Sequence, residues 1–136
     1  MTPFRRMVFV GDHLPRQCGI ATFTHGIHRA VAAARPDLDT GTIAMTAPGH
    51  RHDYPPCVLF EIREEVVADH ARAAEFLSDI DTDLVCLQHE YGIFGGEAGG
   101  HIVELLSRLT MPVVTALHTV LAAPAPAQRL PLVPWP

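Results

Sequence analysis

No apolar run in this chain approaches the roughly 20 residues that a membrane-crossing helix needs. The run Met7-Val8-Phe9-Val10, behind Arg5 and Arg6, is also too short for the core of a signal peptide. Cysteine is scarce. Cys18, Cys57 and Cys86 are an odd number without a close pair, which argues against a disulfide framework and against a Cys-x-x-Cys site. Positive charge is not in excess either. A formal net charge of -5 disfavours a nucleic-acid partner. These absences lead to the expectation of a soluble, cytoplasmic protein with no transmembrane segment and no nucleic-acid partner.

What is present is core material. Of the 136 residues, 48% are hydrophobic, enough for one domain and too few residues for two of ordinary size. The nine histidines make the charge sensitive to pH without identifying a site.

Apolar periodicity predicts strands at 7–10, 42–45, 58–62, 84–88 and 113–117. Between them it predicts three amphipathic helices. The first carries Ile20, Phe23, Ile27, Val31 and Ala34 on its buried stripe and ends at Arg35-Pro36. The second runs over 64–78, with an acidic first turn at Glu64-Glu65 and Val67, His70 or Ala71, Ala74 and Leu77 facing inward. The third buries Ile102, Leu105, Leu106 and Leu109, which puts His101 on its solvent side.

Strands and helices in this alternation predict a Rossmann-like, three-layer α/β/α domain with a mainly parallel sheet. The domain is expected over residues 1–123. Residues 124–136, with five prolines, read as an irregular tail. In such sheets ligands collect at the carboxyl ends of the strands.

Three segments fall at those ends. The first, Pro15-Arg16-Gln17-Cys18-Gly19-Ile20-Ala21-Thr22-Phe23-Thr24, is a loop entering a helix. Free N–H groups there suit an anion, and Gly19 permits close approach. It reads equally as a plain turn, since the full Gly-x-Gly-x-x-Gly pattern is absent. Cys18 at the helix start is either a thiol of lowered pKa or a bystander.

The second segment, Gln88-His89-Glu90-Tyr91-Gly92-Ile93-Phe94-Gly95-Gly96, resembles a binding loop. It is not the zinc motif His-Glu-x-x-His, because residue 93 is Ile. The third, Val113 to Leu121, carries His118 and Thr119 just past a buried strand. A metal site of His89, His101 and His118 is a minor alternative, and His50-Arg51-His52-Asp53 reads as a solvated loop.

Taken together, the three segments resemble the N-terminal domain of the GT-B glycosyltransferases of family 4, over residues 8–129. The resemblance implies a retaining transfer of sugar from a nucleoside-diphosphate sugar to a carbohydrate or lipid-linked acceptor, with no metal or other cofactor. It implies that Arg16, Cys18, Gly19, Ile20, His118 and Thr119 face the donor diphosphate and sugar. His118 is the implied catalytic residue, acting by positioning and hydrogen bonding. His89, Glu90, Gly92, Gly95 and Gly96 are implied on the acceptor side. Cys18 replaces the first glycine of the family's first-loop pair, so a left-handed backbone there is expected to be costlier.

The family's donor domain carries two glutamates separated by seven residues, and no glutamate pair here has that spacing. The chain is therefore expected to be inactive alone: either a truncation or frameshift product, or one half of an enzyme whose donor domain is a separate chain. The alternatives are a stand-alone sugar- or nucleotide-binding or regulatory module and a metal-dependent hydrolase.

Overall fold

The computed structural model describes residues 3–129. Five strands, β1 (Arg6–Gly11), β2 (Asp39–Thr46), β3 (Val58–Arg63), β4 (Leu84–His89) and β5 (Val113–Leu117), form one sheet in the order β3-β2-β1-β4-β5. All four pairings are parallel. The helices are α1 (Gly19–Ala34), α2 (Val67–Asp79), α3 (Ile102–Leu106) and α4 (Pro126–Arg129). The sheet with its helices is the Rossmann-like α/β architecture that the sequence pattern predicts. The strand order reverses between β1 and β4, so their carboxyl ends flank the switch point where such sheets open a crevice.

Each strand alternates between two chemically different faces. Val8, Val10, Ile43, Met45, Ile62, Val85 and Leu87 join Ala73, Ala74 and Leu77 of α2 and Ile102 and Leu105 of α3 in the main apolar core. The opposite face, under α1, holds Phe9, Gly11, Thr42, Cys86 and Gln88, in part polar.

That difference corrects the predicted face of α1. Its buried residues are Ala21, Thr24 and His28, whereas Phe23 and Ala34 are exposed and Ile20, Ile27 and Val31 only half-buried. Small side chains let the helix lie close to Gly11, where even a Cβ would come within 3.0 Å of Thr24 Oγ1. His28 stacks on Phe9 with ring centroids 5.1 Å apart and hydrogen-bonds Thr40 and Thr42 at 3.0 and 2.9 Å. Polar complementarity, not apolar area, sets this interface.

Three further expectations change. Helix α2 starts at Val67 rather than residue 64, and Val67 itself is exposed. Glu64 lies before the helix. The acidic residue of the first turn is instead Asp69, which accepts from the Arg63 backbone N–H at 3.0 Å and whose carboxyl is held down to about 2 by Arg63. His101 is half-buried, not on the solvent side: its ring lies 6.0 Å from that of His70 and 3.7 Å from the Glu65 carboxylate. In the tail, Pro126–Arg129 forms one helical turn, with the Ala125 N–H donating to Gln128 Oε1 at 2.8 Å. The rest of the tail, 130–136, lies outside the described residues.

The glycine-rich segment folds against the β3–α2 junction. Gly95 has φ +76°, and a Cβ there would stand 1.9 Å from the Glu64 carbonyl oxygen. Gly19, by contrast, has nothing within 4 Å of where its Cβ would be. Gly95→Ala is therefore expected to destabilise the fold by about 3 kcal/mol or more, whereas Gly19→Ala stays within about 1 kcal/mol of the parent. Urea denaturation of both variants checks this; equal effects would refute the close approach at Gly95.

Candidate functional site at the carboxyl ends of the strands

The residues just beyond β1 organise this end of the sheet. Asp12 is fully buried. Its Oδ1 accepts from Arg16 Nη1 at 3.1 Å, and its Oδ2 from the Cys18 thiol at 3.2 Å. The same Arg16 nitrogen lies 3.4 Å from Glu64 Oε2 and 3.5 Å from the Met45 carbonyl. Arg16 thus spans the ends of three adjacent strands. Burial pushes the Asp12 carboxyl up to about 6 despite the guanidinium beside it. Glu64 is raised in the same direction, again chiefly by burial.

Cys18 is the N-cap of α1. Its backbone is extended (φ -156°), so the penalty foreseen for a left-handed cysteine does not arise. Its sulfur accepts from the Ala21 N–H at 3.3 Å while its proton goes to Asp12. Burial and the neighbouring carboxylate raise its pKa, so the alternative of an acidified, reactive thiol is corrected. Gly19, exposed, opens the first turn, and Ile20 is half-buried against the core.

On the other side of the switch point stands His118, just after β5 and half-buried. Its backbone N–H donates to the His89 carbonyl at 3.0 Å. Its ring Nε2 lies 2.9 Å from Gln88 Oε1, which can only accept, so Nε2 is the donor. The exposed ring of Phe23, on α1, meets it edge-on with centroids 4.7 Å apart. Through Phe23 and Gln88, the helix that begins at Gly19 and the end of β5 come together. Thr119 follows, half-buried.

The remaining site expectations disperse. His89 is 1% exposed, lies against Tyr91 and Phe94, and has neither ring nitrogen hydrogen-bonded. Burial lowers its pKa, which favours the neutral ring. Glu90 accepts from the Gly92 N–H at 2.7 Å. The Gly96 N–H donates to Glu65 at 3.2 Å, and Gly95 is buried against Glu64. Gly95 and Gly96 therefore pack towards the β3–α2 junction rather than with His118. His89, His101 and His118 form no metal-sized group among the described residues.

Two cavities lie nearby. One of about 240 Å³ is lined by Thr46, Gly49, His50, Glu64 and Val66, next to the Arg16 pair. A larger groove of about 660 Å³, at the β3 edge, is lined by His50 to Asp53 together with Glu61, Arg63 and Arg72. The loop read as merely solvated is one wall of it.

Asp12, Glu64 and Gln88 were not among the expected site residues. Asp12 carried a signal, being the first acid after a buried strand at a sheet's carboxyl end. Glu64 carried none, because its partner Arg16 is 48 positions away.

The fold and these polar groups at the strand ends define a Rossmann-like α/β domain. A scan against protein-family models and a search of curated proteins returned no match for the chain. Among the described residues no helix is long and apolar enough to cross a membrane.

Asp12 gives a pH signature. A carboxyl near 6 in the fold and near 3.8 when unfolded takes up its proton first in the native state. Its contribution therefore favours folding below about pH 4 and is lost as pH rises through 6. Relative to Asp12→Asn, the parent is expected to lose about 3 kcal/mol between about pH 4 and pH 8. Paired denaturation curves across that range test this, and a flat difference would contradict the raised carboxyl.

Proposed function

We propose that this chain is the acceptor-side, Rossmann-like domain of a retaining GT-B glycosyltransferase. In this reading the donor domain that completes the cleft is supplied outside the described residues. The donor is a nucleoside-diphosphate sugar and the acceptor a carbohydrate or lipid-linked sugar. The observation that carries the reading is the juxtaposition of His118 with the start of α1 through Phe23 and Gln88. It joins one residue from each of the three segments that resemble the family.

In this assignment the exposed first turn at Gly19 offers unpaired N–H groups to the diphosphate. Gly19 is required there by neither backbone conformation nor packing within the chain, which leaves room for a ligand's close approach. Gln88 fixes the orientation of His118, and the ring's other nitrogen, Nδ1, hydrogen-bonds a hydroxyl of the transferred sugar. Arg16 is engaged with Asp12 and Glu64, so it contributes by holding the loop rather than as a mobile cation over the phosphates.

Titrating the 15N-labelled chain with uridine and guanosine diphosphate sugars tests the reading. With one wall of the cleft present, weak binding on the order of 1 mM is expected, with amide shifts gathered at Cys18 to Ile20 and at His118 and Thr119. His118→Ala is expected to weaken the sugar nucleotide about tenfold and leave the bare diphosphate unchanged. Unmoved amides at millimolar ligand would overturn the assignment. Binding about a thousandfold tighter at the same residues would favour a stand-alone binding module.

A further inference from the structure

Beneath α1, away from His118, three metal-ligating side chains converge from separate elements. His13 lies in the loop after β1, His28 on the sheet-facing side of α1, and Cys57 immediately before β3. One donor atom from each lies within 4.8 Å of the others. His13 and His28 are buried and Cys57 half-buried. We propose that His13, His28 and Cys57 form a binding site for a thiophilic cation of the zinc type.

The hydrogen bonds around the cluster orient it for this. His13 Nδ1 lies 2.9 Å from the Leu14 carbonyl, which can only accept. The ring proton therefore sits on Nδ1, and the Nε2 lone pair is directed at Cys57 Sγ, 4.0 Å away. His28 has a threonine hydroxyl at each ring nitrogen, Thr40 at Nε2 and Thr42 at Nδ1. When one nitrogen takes the metal, the other still donates to its threonine, the outer-shell contact that fixes a ligating imidazole. Burial lowers the pKa of both rings, which favours the neutral form that ligates a metal.

The donor set selects the ion. Two imidazoles and a thiolate suit zinc, with bonds of about 2.0–2.3 Å that bring donor atoms to about 3.3–3.8 Å apart. The cluster needs to contract by only about 1 Å. Its single proton loss is the Cys57 thiol proton, released to solvent as the metal–sulfur bond forms. The half-buried cysteine side is the natural place for a water as fourth ligand. No carboxylate belongs to the group, which disfavours magnesium and calcium. The site involves none of the residues assigned to glycosyl transfer, so it stands or falls independently.

Titration of metal-free protein with Co2+, followed by competition with Zn2+, is the test. One equivalent of Co2+ is expected to give a thiolate-to-cobalt charge-transfer band with tetrahedral d–d bands. Zinc is expected to displace it with a dissociation constant on the order of 1 µM or tighter. Cys57→Ser is expected to abolish the band and weaken zinc by about 100-fold or more, whereas Cys18→Ser retains both. X-ray absorption at the zinc edge of the unmutated protein, expected to show one sulfur and two imidazole nitrogens, keeps the test decisive if a variant misfolds. No band at stoichiometric cobalt, a band that survives Cys57→Ser, or an all-oxygen zinc shell would overturn the proposal.

Discussion

One guanidinium nitrogen of Arg16 reaches Asp12, Glu64 and the Met45 carbonyl, joining the ends of β1, β2 and β3. A fully buried carboxylate at this position is costly unless paired, and removing the partner of a buried charge commonly costs about 3–5 kcal/mol. The arrangement has consequences in both directions along the chain. Asp12 also accepts from Cys18, so the pair fixes the N-cap of α1. The Glu64 carbonyl accepts from His70 Nε2 at 3.0 Å and stands against Gly95, so the pair reaches α2 and the glycine-rich segment. A loop that had read as a phosphate cradle is thus first a structural tie, and any ligand-binding role is carried by the groups the tie leaves exposed.

The two faces of the sheet solve burial differently. The α2–α3 face is an ordinary apolar core of Val, Ile, Met and Leu side chains, stabilised by the area removed from water. The α1 face depends on matched polar groups: His28 with Thr40 and Thr42, His118 with Gln88, and Gln88 Nε2 with Cys86 at 3.3 Å. Buried polar groups demand partners, and on this face histidine rings, which can both donate and accept, supply them. The proposed metal cluster and the candidate sugar-contacting histidine both arise from that property, at opposite ends of the same helix-covered surface.

Strand positions, their order along the chain and the parallel α/β class were legible because Val8–Val10, Val85–Leu87 and the Leu105 stripe carry strong apolar patterns. Those patterns reflect burial against a common core and need no knowledge of which strand neighbours which. His118 and Gly19 were legible as strand-end and helix-start residues for the same reason. Helix α1 shows the limit. Its apolar period pointed to Phe23 and Ile27, yet the sheet beneath it offered threonines, Gly11 and a histidine acceptor pattern, and Ala21, Thr24 and His28 turned inward. An amphipathic stripe identifies a buried face only where the opposing surface is apolar.

By itself the sequence determined the elements and the carboxyl-end location of the polar segments, because both follow from local period and from the directionality of parallel strands. The tertiary structure alone decided which distant side chains meet: Arg16 with Glu64, His118 with Phe23 and Gln88, and His13 with His28 and Cys57. Strand order sets these contacts, and strand order is fixed by packing and helix crossover rather than by any residue's neighbours in sequence. The pKa of Asp12 belongs to the same category, since burial and the reach of Arg16 create it and neither is written at position 12.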